Sequence, residues 1–83
     1  MRMVSDMNHI TEAVAAEVRA AVARANTPQS QIMDALGLSR VSVSKRLNGK
    51  QPFTVAELVI VAGVVGVEPK EFFRNTPDGT RAA

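Results

Sequence analysis

With 83 residues the chain can form one domain at most, and a domain of that size buries only about 60–65% of its unfolded surface, so its core is thin. The absence of cysteine excludes disulfides and thiolate zinc sites, and the single histidine, His9, argues against a histidine-based metal site, so no cofactor is expected. The net charge is only +2, and the longest apolar run, Leu58–Val67, has ten residues against the roughly 18–20 that a bilayer requires, so the chain reads as soluble and cytoplasmic.

Residues 1–7 read as a flexible arm, without the apolar stretch of a signal peptide. The folded part is expected over residues 8–74, and residues 75–83 read as a flexible tail. From about Asn8 to Ala25 the sequence is rich in alanine, the best helix former, and Ile10, Val14, Val18 and Val22 recur every four residues as one apolar stripe. Asn26 is a plausible end. A second helix follows in "TPQSQIMDALG": Thr27 can cap it, Pro28 suits its first position, and Ile32, Met33 and Leu36 form an inward face. Gly37 then stops the helix, because glycine accepts the left-handed conformation without a Cβ clash.

Ser39 is a good cap for a third helix reaching about Asn48, with Val43 and Leu47 inward and Gly49 closing it. Thr54 and Glu57 form a T-x-x-E capping box ahead of "VAELVIVAGVVGV". That run is rich in β-branched residues and could be a strand; its length, its cap and its helical surroundings favour a helix. Gly63 inside it costs about 1 kcal/mol relative to alanine and could allow another helix to approach closely. Pro69 opens a short fifth helix, "PKEFF", from which Phe72 or Phe73 plugs the core.

Charge is unevenly placed along this plan. Between Ala35 and Ala56 stand Arg40, Lys45, Arg46 and Lys50 and no acid. A local cationic stripe on a nearly neutral chain fits either a solvated helix face or a nucleic-acid surface. What precedes it favours the second. Helix, three-residue Gly37-Leu38-Ser39 turn, helix is the order of a helix-turn-helix, in which the first helix braces on the DNA backbone and the second enters the major groove. Leu38 would seal the corner. Arg40, Ser42, Ser44 and Lys45 would be left on the outer face.

The stretch "PQSQIMDALGLSRVSVSKRLNGKQPFTVAELVIVAGVVGVEPKEFF" resembles the Cro and lambda-repressor type of helix-turn-helix, and "LGLSRVSVSKRLNGKQPFT" is most similar to its small actinobacterial and actinophage members. The resemblance covers about Pro28 to Phe73 and implies an all-α, five-helix fold with the helix-turn-helix at about residues 28–48. It implies a sequence-specific regulator of transcription, a phage or bacterial repressor or Cro-like protein. Its partners would be double-stranded DNA and, at least on DNA, a second copy of the chain.

By position, Gln29 would bind a phosphate and buttress the second helix, Ser39 would bind a phosphate at that helix's cap, and Asn48 would touch backbone. Arg40, Val41 and Lys45 occupy positions that reach base edges, with Ser44 a further candidate. An arginine fork fits guanine, and a valine can touch a thymine methyl; a phosphate contact for Arg40 or Lys45, and turn packing for Val41, fit as well. Ser42, Arg46 and Lys50 are assigned to the backbone or to solvent. The chain departs from the family pattern at Met33, where a small residue is usual, and at Arg46, where an apolar one is usual and Leu47 would take the core contact.

A dimer would have to use the last segments, with Val64, Val65, Val67, Phe72 and Phe73 as candidates. With no Tyr or Trp and only three Phe, a stacking platform for single strands is not expected. No nucleophile–base pair or Gly-rich phosphate loop is present, so an enzyme is not expected. The apolar last third suggests an alternative: an antitoxin or adaptor whose main partner is another protein.

Overall fold

The first helix, α1, runs from Arg2 to Arg24 in the computed structural model of the chain, which describes residues 2–75 and the side chains from Asn8 onward. No glycine or proline interrupts that span, and helix propagation adds a hydrogen bond for each residue fixed. The helix therefore takes in residues 2–7, where a loose arm was expected. Met1 and residues 76–83, most of the expected tail, lie outside the described residues.

The inward face of α1 carries Val14, Ala15, Val18 and Ala21, all buried, with Ile10 and Val22 packed at its edge. The two alanines widen the four-residue valine stripe and keep it flat enough for other elements to sit on. Asn26 ends the helix in the left-handed region, at φ 53°. Helix α2 then spans Gln29–Leu36. Pro28, rather than Thr27, is its extended cap residue, at φ −69° and ψ 149°, and the Gln31 N–H donates to the Pro28 carbonyl at 3.0 Å. Proline's fixed φ suits that position, and its missing N–H leaves no donor to satisfy there.

Helices α3, Arg40–Leu47, and α4, Val55–Val65, follow. α4 is helical despite its β-branched composition because both halves of its capping box form. Thr54 Oγ1 accepts from the Glu57 N–H at 3.1 Å, and Glu57 Oε1 accepts from the Thr54 N–H at 3.0 Å. The expected fifth helix is a single 3-10 segment, Pro69–Phe73, so the all-α fold has four α-helices and a 3-10 turn among its described residues. Five residues are too few for more than one or two hydrogen-bonded turns, and the tighter 3-10 geometry is usual for such pieces.

α1 packs on α3 and on the 3-10 segment, while α2 packs on α3 and α4. Ile32, Val43, Leu58, Val61, Ala62 and Phe72 complete the core against α1. Phe72 is only 1% exposed, so its ring is a core plug and not a dimer contact. Val64, Val65 and Val67 are half-buried against the same core, and Phe73 keeps an exposed edge. Gly49 lies close against α1: at φ +74°, a Cβ built there would meet Glu12 Cγ at 3.3 Å and Glu12 Cα at 3.4 Å. Gly63, by contrast, has nothing within 4 Å of a built Cβ, so no other helix among the described residues approaches it. Among the described residues, no helix is long and apolar enough to cross a membrane.

Candidate nucleic-acid interface

The corner between α2 and α3 is made by backbone. Gly37 is left-handed, at φ 67° and ψ 34°, and the N–H groups of Gly37 and Leu38 converge on the Met33 carbonyl at 2.8 and 3.1 Å. That arrangement satisfies a carbonyl left over at the end of α2 and swings the chain round. Leu38 packs on the core, and Ser39, extended at ψ 166°, opens α3 by accepting from the Ser42 N–H at 3.2 Å. Glycine, apolar seal and serine cap thus each do what their residue type allows at that point of the turn.

The register of α3 then decides what faces out. Val43 is fully buried and Leu47, four residues on, packs beside it. Opposite them, Arg40, Val41, Ser44 and Lys45 line one shallow groove together with Asn48 and Lys50. Val41 is 64% exposed, a large apolar side chain held in water on a helix that has buried sites for others. The four residues expected at base edges therefore share one surface, and two of those expected at the DNA backbone lie at its end. The Ser44 hydroxyl accepts from Asn48 Nδ2 at 3.3 Å, which leaves its own O–H available to donate.

Gln29 sits across the turn, and its Nε2 donates to the Arg40 carbonyl at 3.4 Å, a long contact that props the first turn of α3 from α2. Ser42 is half-buried and is drawn into the cap, its hydroxyl 3.3 Å from that of Ser39.

Arg46 does not point to the backbone of a ligand. Its Nε donates to Glu57 Oε1 at 3.0 Å and its guanidinium donates to the Ser42 carbonyl at 3.0 Å, with the side chain 11% exposed. The physical reason is register: Arg46 stands three residues beyond buried Val43 and so shares its face. A guanidinium there has to be paired, and Glu57, fixed by the capping box, supplies the carboxylate. The ion pair occupies the place where the resembling family has an apolar side chain.

Sequence reading also missed Arg19. Its guanidinium donates to the carbonyl of Leu47, so a cation from α1 covers the carbonyl end of α3. No spacing rule links residues 28 apart; only the packing of α1 on α3 brings them together.

A bracing helix, a left-handed glycine corner and a capped second helix with an outward cationic face define a small helical domain of the helix-turn-helix, DNA-binding type. The BetR domain family model matches residues 6–81, and the chain belongs to that family. No curated protein and no solved structure matches the chain.

Proposed function

We propose that this chain is a sequence-specific double-stranded DNA-binding regulator of transcription, a repressor or Cro-like protein of a bacterium or phage. It works in the cytoplasm and binds its operator as a homodimer. The observation that carries this reading is the groove of Arg40, Val41, Ser44 and Lys45 on α3, bounded by Asn48 and Lys50. It combines a fork donor, a point cation, a hydroxyl and an apolar contact on one helix face, which is the mixture that reads base edges in a major groove. No acid occurs from Ala35 to Ala56, and Glu57, the next one, is neutralised by Arg46, so the surface repels no phosphate of its own accord.

In this reading Arg40 and Lys45 reach guanine or flanking phosphates, Val41 meets a thymine methyl, and Ser39, Gln29 and Lys50 hold the backbone. Selecting bound duplexes from a random pool tests it. Enrichment of an imperfect inverted repeat is expected, with half-site centres about 34 Å apart. Recovery of unenriched sequence with no salt-dependent binding would overturn it. A protein-directed role, as an antitoxin or adaptor, is the second reading; the exposed valines and isoleucine of α4 favour it, and it predicts a stable protein complex without DNA affinity.

A further inference from the structure

Helix α4 has an outer face with no polar side chain. Val55 is 75% exposed, Val59 51% and Ile60 42%, and Ala56 and Gly63 are exposed beside them. At 100° per residue these five positions occupy one continuous strip over more than two turns. Glu57, the charged residue of α4, is turned away and tied to Arg46. A helix apolar on all sides is ordinarily covered on all sides. Among the described residues, the core covers only one.

Gly63 adds a second observation. It lies inside α4, where glycine is unfavourable, and among the described residues nothing outside its own helix backbone and its two chain neighbours comes within 4 Å of a Cβ built on it. The monomer gives no reason for a glycine there. A second helix laid against this face does.

We propose that the α4 face is the dimer interface and that its occupant is the α4 of a second copy, packed antiparallel about a two-fold axis at Val59. In that register Val55 of one copy lies over Gly63 of the other, the largest projection against the deepest hollow, and Val59 meets its own mate. The strip bears no charge, so a two-fold operation brings no like charges together, a condition an isologous interface must meet. The proposal rests on the dimeric regulator reading above and names the surface that reading lacks.

Five small or medium side chains on one helix bury far less than the about 800 Å² per partner of a standard interface. Association in free solution is therefore weak. Two copies on adjacent half-sites are held at high effective concentration, and the same contact then appears as cooperative binding. Because Glu57 ties the first turn of α4 to Arg46 of α3, the pairing of the two α4 helices fixes the separation of the two reading helices.

The test compares duplexes carrying the selected full site with duplexes carrying one half-site. Val59→Lys places two cations on the axis and is expected to weaken full-site binding by about tenfold or more while leaving half-site affinity unchanged. Gly63→Leu fills the hollow without touching the chain's own core and is expected to do the same; circular dichroism confirms that both variants stay folded. The cysteine-free chain permits a direct check of register. Val59→Cys is expected to form a disulfide dimer on the full-site duplex under mild oxidation, and Val55→Cys, displaced from the axis, is not. Full-site binding by Val59→Lys equal to the parent, or equal cross-linking by both cysteine variants, would overturn the proposal. If no duplex is selected at all, it is the DNA reading that fails, and sedimentation at high concentration decides the interface alone: a parent that dimerises while Val59→Lys stays monomeric supports it, and a parent that stays monomeric overturns it.

Discussion

Arg46 of the second helix of the motif and Glu57 of α4 form an ion pair at 3.0 Å, with side chains 11% and 17% exposed. Glu57 at the same time accepts from the Thr54 N–H, so a single carboxylate caps α4 and fastens α3 to it. The pair lies on the face of α3 that buries Val43, and so holds α3 against α4 in the rotation that Val43 and Leu47 set.

Removing one partner of such a pair leaves the other charge in a largely buried position. Arg46→Ala is expected to lower stability by about 2 kcal/mol in chemical denaturation, below the roughly 3–5 kcal/mol of a fully buried pair because both side chains keep some exposure and Thr54 still holds Glu57. Arg46→Met, which restores an apolar side chain of similar length, is expected to cost less. On DNA, Arg46→Met should leave the slope of log affinity against log salt unchanged; a slope shallower by about one would show that Arg46 grips a phosphate after all.

Two glycines give opposite predictions from local geometry. Gly63→Ala adds a Cβ in open space within a helix and is expected to stabilise the folded monomer by about 1 kcal/mol. Gly49→Ala must hold alanine at φ +74° with its Cβ against Glu12, and is expected to destabilise by about 1–3 kcal/mol. Thermal melts at low protein concentration, where self-association does not contribute, separate the two.

The helix-turn-helix corner was legible in the sequence because each of its residues acts locally. Gly37 by its φ, Ser39 by its cap and Thr54 with Glu57 by their box are all decided within three or four positions of chain. The outward groove was legible for a related reason: once Val43 and Leu47 are inward, Arg40, Val41, Ser44 and Lys45 fall opposite. The place of Arg46 was less legible, because a charged side chain suggests the outer face while its register with Val43 turns it inward to Glu57. Arg19 and Phe72 were beyond local reasoning, since packing between elements distant in sequence decides both the Leu47 contact and which of two adjacent phenylalanines enters the core. The outer face of α4 was hidden by composition: an all-apolar segment shows no periodicity from which its buried side could be read.

Lys50 stands at the end of the groove, beyond the turn that follows α3. Lys50→Gln is expected to weaken binding to operator and scrambled duplex alike and to shallow the salt slope by about one, as the loss of one phosphate contact does. Fluorescence anisotropy titrations over a salt series check it.

The central claim is that the outer face of α3 reads bases, and Arg40→Ala tests it most directly. Affinities of parent and variant are measured for the selected operator, for each single-base variant of it and for a scrambled duplex. The account predicts a loss of about 1–3 kcal/mol on the operator, discrimination erased at one base position per half-site, and little change on scrambled DNA. Equal losses on every duplex would reduce Arg40 to a phosphate contact, and unchanged affinities on all of them would contradict the account.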